Sequence, residues 1–211
     1  DEVLLGMVEC PVRLAVEEWT KNIGLHYIIN TVLDENMNLY RAVAGHYIHA
    51  HRKAVSYAQA VCGVSLKQRP DVVLASAYPI DIDFWQCGKA AYGPTRVIAK
   101  GGEFLLLAAC TEGVGPHPQI LDYMALENGT EVLSHRIASQ NTGEDLLTMA
   151  VGVSMGRVVR HSNVTLVTDG LLPEDCRRGQ MSHCSPANLQ QALQQALERF
   201  EDPFLLIIGE G

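Results

Sequence analysis

Short apolar runs of strand length, separated by helical patterns, are the feature that most constrains how this chain can fold. Such runs occupy residues 71–76, 104–110 and 204–208. A strand that is apolar on both faces is typical of a parallel sheet covered by helices. Between the runs, apolar residues recur three and four positions apart, as they do on one face of a helix. The alternation predicts an α/β fold with a mostly parallel sheet.

The first third of the chain has a different pattern. An amphipathic helix is predicted over residues 11–23, and a second helix over residues 46–62, ended by Gly63. Between them, two strands at 26–33 and 39–44 flank the polar turn 34–38, which predicts an antiparallel hairpin. No linker-like break in composition follows. We therefore expect one α/β domain over residues 1–211, in which a Rossmann-like, mostly parallel sheet follows an N-terminal antiparallel hairpin.

The remaining elements follow from periodicity and from helix-capping residues. A helix should begin near residue 81 or 83, because either Asp81 or Asp83 can cap its N-terminus. Ser185-Pro186 is a strong helix start, with a capping hydroxyl followed by proline at the first helical position. A further strand is expected at residues 164–168. Further helices are expected over residues 119–127, 130–138, 144–161 and 187–200.

Composition excludes several classes of protein. The formal net charge is −8, from 16 basic and 24 acidic residues, whereas nonspecific nucleic-acid binding requires a basic surface. No apolar run approaches the roughly 20 residues that a membrane span needs, so we expect no membrane partner. The 6 cysteines form no CxxC pair, which favours reduced thiols and a cytoplasmic location.

Residues 71–116 carry the most information about function. In open α/β sheets, ligands bind beyond the carboxyl ends of the strands. Two segments should lie at such ends, one containing Tyr78 and the other containing Gly113 and Gly115. Backbone N–H groups of a glycine loop can approach a cofactor phosphate, which makes these three residues candidates for a cofactor-proximal position.

The helix between these two segments carries a candidate substrate site. Gln86 and Lys89 are three residues apart and share a helix face, and Trp85 flanks Lys89 at a spacing of four. An amide and an ammonium on one face can hydrogen-bond both oxygens of a small carboxylate, with Trp85 as an apolar wall. The alternative from spacing alone is a solvated helix face with one partly buried tryptophan.

The order of these motifs resembles the C-terminal domain of the lactate racemase family, the nickel-pincer-nucleotide-dependent 2-hydroxy-acid racemases. Residues 71–90 read DVVLASAYPIDIDFWQCGKA: a buried strand, a Tyr-Pro turn, an aspartate, and an aromatic-Gln-x-x-Lys helix. The Gly-Gly turn at 101–102, the apolar strand after it and the Ala-Cys-small-acidic-Gly loop at 109–113 continue the similarity. Upstream, residues 24–33, 44–45 and 50–52 resemble the family's hairpin and helix.

The resemblance implies an isomerase that inverts a carbon bearing a hydroxyl and a carboxylate. In that family the nickel-pincer nucleotide accepts hydride from C2 and returns it to either face, while histidines of the N-terminal domain transfer the hydroxyl proton. The C-terminal domain closes over the cofactor. Carried over by motif, Gln86 and Lys89 would hold the substrate carboxylate, and Trp85 would occupy the aromatic position beside it.

The chain also departs from the family pattern. Trp85 replaces the usual tyrosine, Ser76-Ala77 replaces glycines before Tyr-Pro, and Gly113-Val114-Gly115 replaces a Gly-His-Gly sequence, with His117 displaced. A tryptophan that the family places on a later helix has no counterpart around residues 148–157. These changes bear on which 2-hydroxy acid is the substrate.

The residues that would tether the cofactor, bind nickel and transfer protons belong to the family's N-terminal catalytic domain, and no part of this chain resembles that domain. We therefore expect the missing N-terminal domain to be a partner of this chain. We expect no catalytic residue, no metal site and no bound cofactor in these 211 residues, which should be inactive alone.

Three other interpretations are weaker. His46, His49 and His51 suggest a metal site, but His51 lies on a different helix side from His49 and no carboxylate completes the set. Cys87 could be a nucleophile, yet no histidine at a suitable spacing could act as its base. The second functional hypothesis is a non-catalytic α/β ligand-binding or oligomerisation domain.

Overall fold

The computed structural model describes residues 7–140 and 145–209. The chain divides into two compact units, Asp1–Lys67 and Gln68–Gly211. Each unit has buried residues of its own. The expectation of a single domain over residues 1–211 stays a prediction.

The first unit contains the predicted hairpin. Helix α1 (Pro11–Asn22) precedes strands β1 (Ile28–Leu33) and β2 (Leu39–Gly45), which pair antiparallel, and helix α2 (Tyr47–Cys62) follows. Asp34 shapes the turn, because its Oδ1 accepts backbone N–H groups of Asn36 and Asn38, both at 2.9 Å. An aspartate that bonds the backbone in this way stabilises a tight turn.

Packing in this unit buries α2 more than α1. Helix α2 contacts both strands of the hairpin and buries Ala50 and Ala54. In α1 the one buried residue is Glu17, which pairs with Arg13 at 2.9 Å and with Arg52 at 2.7 Å. The apolar stripe that the periodicity predicts on α1 is exposed, with Trp19 at 76%.

The second unit is built on a five-stranded parallel sheet, so the predicted fold class is confirmed. The strand order is β6-β5-β4-β3-β7, and every neighbouring pair is parallel. The strands are β3 (Val72–Ser76), β4 (Glu103–Leu107), β5 (Asn163–Val167), β6 (Ser182–Cys184) and β7 (Leu205–Ile208). The chain adds strands outward from β3 to β6 and then returns to place β7 on the other side of β3.

Helices cover the sheet unequally. On one face Val73, Phe104 and Leu166 pack against most of the helices, and on the other Val72 and Leu105 pack against the last helix. Both faces are therefore buried, which explains the continuous apolar runs. In the described residues these helices are α3 (Phe84–Cys87), α4 (Tyr92–Val97), α5 (Ile120–Met124), α6 (Gly129–Ala138), α7 (Leu146–His161), α8 (Pro173–Arg178) and α9 (Leu189–Leu197). None of the helices in the described parts of the chain has the length and apolar character that crossing a bilayer requires.

Two elements, α8 and β6, were not predicted, because they are short and mostly polar. The predicted start at Ser185-Pro186 is confirmed in position, with Ser185 at the N-cap, but the predicted capping hydroxyl bond is not made. A 3₁₀ turn, Pro186–Asn188, precedes α9, and the Ser185 side chain makes no cap. Its hydroxyl instead donates to Asp169 Oδ1 at 2.8 Å. The hydroxyl that the local sequence assigns to the helix N-terminus therefore bonds to a carboxylate in a neighbouring loop.

Candidate functional site

The candidate site lies at the carboxyl edge of the sheet, where the segments after β3 and β4 run side by side. Backbone hydrogen bonds join them: Cys110 N donates to Asp81 O at 2.7 Å, and Glu112 N donates to Ile82 O at 2.9 Å. The Asp81 side chain adds a bond from Ala109 N at 3.1 Å. These contacts fix the glycine loop, residues 111–118, against the start of α3.

The glycine loop also satisfies the first N–H groups of α3. Phe84 N donates to Gly113 O at 2.9 Å and Trp85 N donates to Val114 O at 3.2 Å. The first N–H groups of a helix have no partner within the helix, so the loop supplies the acceptors. The orientation of α3, and with it the direction of its side chains, therefore depends on the loop.

Asp83, not Asp81, is the cap of α3. Its Oδ1 accepts Gln86 N at 2.7 Å, and the side chain is buried. Gly115, with φ +91°, lies against this carboxylate, since a Cβ there would be 2.9 Å from Asp83 Oδ2. Only glycine combines this backbone conformation with so close an approach. The local sequence left Asp81 and Asp83 as alternatives, and the tertiary contacts of the loop decide between them.

The segment after β5 closes the same region. Thr168, fully buried, donates its hydroxyl to Ala109 O at 3.1 Å and accepts Gly170 N at 3.0 Å. A Cβ on Gly170 would lie 2.0 Å from Cys110 O. The segments that follow three adjacent parallel strands are thus packed together at one edge of the sheet.

Gln86 and Lys89 are in direct contact. Lys89 Nζ donates to Gln86 Oε1 at 2.6 Å, with Gln86 half-buried and Lys89 exposed. An ammonium has no acceptor, so the contacting amide atom must be the oxygen. This leaves the Gln86 Nε2 hydrogens and the remaining Lys89 hydrogens free to donate to an anion. Among the residues that the structure describes, no carboxylate lies within ion-pairing distance of Lys89.

Trp85 contacts a histidine that the helix spacing does not reveal. Its ring centroid is 4.5 Å from that of His117, with a 49° angle between the ring planes. His117 Nδ1 lies 3.2 Å from Asp145 Oδ2. Asp145 caps α7, and its carboxylate accepts the Thr148 hydroxyl and the N–H groups of Thr148 and Leu147. The hydroxyl bond from Thr148, followed by the backbone bond, lowers the pKa of Asp145.

Beneath these side chains lie buried thiols. Cys87 Sγ and Cys110 Sγ are 3.9 Å apart, and both residues are fully buried. The hydrogen bond between them raises the pKa of Cys87 well above its usual range, and burial acts in the same direction. The same bond lowers the pKa of Cys110. A buried thiol whose pKa is raised is a poor nucleophile, which argues against the interpretation of Cys87 as one.

The other predicted residues lie apart from this group or contribute only backbone. Tyr78 is 61% exposed after β3, and within the described ranges no hydrogen bond or ring contact joins its side chain to the other predicted residues. The strand order reverses at β3, and ligands bind at such a point in open α/β sheets.

In the first unit, His46 stacks on Tyr47 and contacts His49. Arg178 ends α8 and binds Asp122 at 2.5 Å through its Nη2, which lowers the pKa of that carboxyl.

Comparison with known proteins shows similarity of fold alone. No family model and no curated protein matches this chain. Among solved structures, the lactate racemase apoprotein from Thermoanaerobacterium thermosaccharolyticum is similar with a TM-score of 0.75 and 22% identity, over 94% of this chain and 47% of that one. A Thermotoga maritima protein from a structural genomics programme is similar with a TM-score of 0.57 and 18% identity, over 92% of this chain and 50% of that one.

The fold and the loops define an α/β protein whose candidate site lies at the carboxyl edge of a parallel sheet. Within that class, the chain has a lactate-racemase-like fold. The chain spans about half the length of each of the two proteins it resembles.

Proposed function

We propose that this chain is the substrate-clamping C-terminal domain of an enzyme that interconverts the stereoisomers of a 2-hydroxy acid. One observation carries the proposal: Gln86, on the helix α3 that the glycine loop holds, is in contact at 2.6 Å with Lys89, in the 3₁₀ turn Gly88–Ala91 that continues it. The lactate-racemase-like fold supports the reaction class, since one similar structure is that of a lactate racemase.

The chemistry of the pair suits a carboxylate. Gln86 Nε2 and Lys89 Nζ are hydrogen-bond donors on two side chains in contact, and a carboxylate has two oxygens to receive them. Bonds from an ammonium to a carboxylate are short and charge-assisted. Such contacts hold the reacting carbon of a 2-hydroxy acid in place during catalysis. Trp85, half-buried beside them, provides an apolar wall.

The chain by itself should bind the acid weakly. Lys89 is exposed, and a single ion pair in water contributes about 0–1 kcal/mol. An isolated domain should therefore bind the acid no more tightly than about the millimolar range, which corresponds to about 4 kcal/mol. Enclosure by a second domain would exclude water and strengthen the same contacts, because electrostatic interactions grow as the local dielectric falls.

The resemblance implies a nickel-pincer nucleotide as the cofactor of the intact enzyme. No group of three or more His, Cys, Asp or Glu side chains within 7–140 and 145–209 is placed to hold a metal ion. We propose that the cofactor, which supplies a hydride acceptor in that family, is held by a domain outside this chain. The role of this chain is then to bind and orient the acid.

The proposal is tested by NMR titration of the 211-residue chain with lactate and 2-hydroxybutyrate. Lys89→Ala should weaken binding up to about fivefold, the effect of about 1 kcal/mol, because the charged donor of the pair is lost. Lys100→Ala, which removes another exposed lysine, is the matched control and should change nothing.

Kinetics of the intact enzyme distinguish the two functional hypotheses. There, Lys89→Ala should raise KM steeply and lower kcat. Equal binding by the wild type and the Lys89 variant would reject the proposed role. Acid binding that depends on Lys89, in an intact protein without turnover, would favour the non-catalytic ligand-binding alternative.

A further inference from the structure

His117 is held in a fixed position beside the candidate site by contacts on two sides. The Trp85 ring packs against it at 4.5 Å between centroids, and Asp145 Oδ2 lies 3.2 Å from its Nδ1. The imidazole is nevertheless about one-third exposed, at 35%. A side chain that is oriented on two sides and open on another is suited to contact a ligand.

The contact with Asp145 determines which ring nitrogen is available. The Asp145 carboxylate accepts three other hydrogen bonds at the start of α7, so it is fixed in place. An acceptor next to Nδ1 selects the tautomer that carries a proton there. Nε2 is then the nitrogen that can meet a ligand, as an N–H donor when the ring is charged and as an acceptor when it is neutral.

Trp85 links this histidine to the Gln86–Lys89 pair. Trp85 and Lys89 are four residues apart along continuous helical backbone, from α3 into the 3₁₀ turn Gly88–Ala91. One helical turn rises about 5.4 Å, and the His117 ring is tilted against the indole with 4.5 Å between the ring centroids. The spacing of Trp85 and Lys89 therefore favours a ligand longer than lactate, with its carboxylate on Lys89 and its far end at His117.

Resting on the proposed function, we propose that His117 is a specificity-determining residue that binds the far end of the substrate. The substrate class is then a 2-hydroxy acid of four or more carbons with a second polar group at its other end. Asp145 acts as a positioning residue for the imidazole, and the indole of Trp85 supports the carbon chain between the two polar ends.

Three four-carbon acids test this proposal in the 211-residue chain. They are 2-hydroxybutyrate, with an apolar end, and malate and 2,4-dihydroxybutyrate, with polar ends. NMR titration at pH 7 should give about five- to tenfold tighter binding for at least one polar-ended acid than for 2-hydroxybutyrate, the effect of about one hydrogen bond.

The informative variant is His117→Phe, which keeps a ring against Trp85 and removes both nitrogens. It should abolish the preference for the polar-ended acid over 2-hydroxybutyrate. His117→Ala should do the same if it folds. His135→Ala, at an exposed histidine of α6, is the control and should retain the preference.

The outcomes separate the two proposals. If binding depends on Lys89 but His117→Phe retains the preference, or if the wild type has no preference, the role of His117 is wrong and the proposed function stands. If the wild type binds none of the acids, or Lys89→Ala binds them equally well, both proposals fail.

Discussion

Gly170 illustrates how single residues allow the site to assemble, because its lack of a side chain is a spatial requirement. A Cβ at this position would lie 2.0 Å from Cys110 O and 2.3 Å from Ala109 O. Both are backbone atoms, so the contact cannot be relieved by turning a side chain. The segment after β5 could approach the segment after β4 only with glycine here.

Gly170→Ala should therefore destabilise the protein by about 3 kcal/mol, at the upper end of the range for overpacked positions. The backbone after β4 must shift, and α3 is bonded to it. Urea unfolding measures the change. Gly209→Ala, where a Cβ meets nothing within 4 Å, is the matched control and should lie within about 0.5 kcal/mol of wild type. Similar stabilities for the two variants would contradict the close approach.

At the scale of elements, α3 is the piece on which the site depends, and it cannot form alone. It has four helical residues, followed by the 3₁₀ turn Gly88–Ala91. Isolated helices of this length are unstable in water, because the free energy needed to form the first turn exceeds the free energy that its hydrogen bonds contribute. The glycine loop and the Asp83 side chain supply the missing hydrogen-bond partners.

Asp83→Ala should cost about 1–2 kcal/mol of stability, the usual effect of losing a helix cap. It should also weaken acid binding, since Gln86 N loses its acceptor and α3 frays. Asp83→Asn keeps an oxygen in place and should lose less on both measures. Urea unfolding and the NMR titration described above provide the two readouts. Full acid binding in a destabilised Asp83→Ala protein would show that α3 does not need the cap to present Gln86 and Lys89.

At the scale of the whole molecule, the candidate site and the parallel sheet belong to one unit. All residues of the two apolar clusters that flank the sheet fall between Val72 and Ile208. The chain divides between Lys67 and Gln68, both of them exposed. Both clusters therefore lie within the second unit.

Brief trypsin treatment should cleave after Lys67 and leave residues 68–211 as a folded fragment. Exposed segments between compact units are preferred sites of proteolysis. Mass spectrometry identifies the cut, and the NMR spectrum of the fragment should keep the dispersed signals of the second unit. An unfolded 68–211 fragment would contradict the assignment of a self-sufficient core to this unit.

The sequence alone was enough to predict most of the elements and the shared helix face of two candidate site residues. Apolar runs predicted the strands β3, β4, β5 and β7, and the polar turn predicted the hairpin. Both signals are local, because burial of a strand and the geometry of a turn depend on residues that are neighbours in the sequence. Helical spacing predicted that Gln86 and Lys89 share a face. Their contact at 2.6 Å agrees with that spacing, while their role stays a proposal.

Only the tertiary structure decided what lies next to what. In the folded chain β7 pairs with β3, and Asp83 rather than Asp81 caps α3. The Ser185 hydroxyl bonds to Asp169 instead of capping a helix. His117 contacts Trp85 and Asp145. The β7 pairing and the contacts of Ser185 and His117 join segments that no local periodicity connects, and the choice of Asp83 depends on the glycine loop that packs against it. Such contacts depend on which segments the fold brings together at one edge of the sheet, and that condition exists only after the chain has folded.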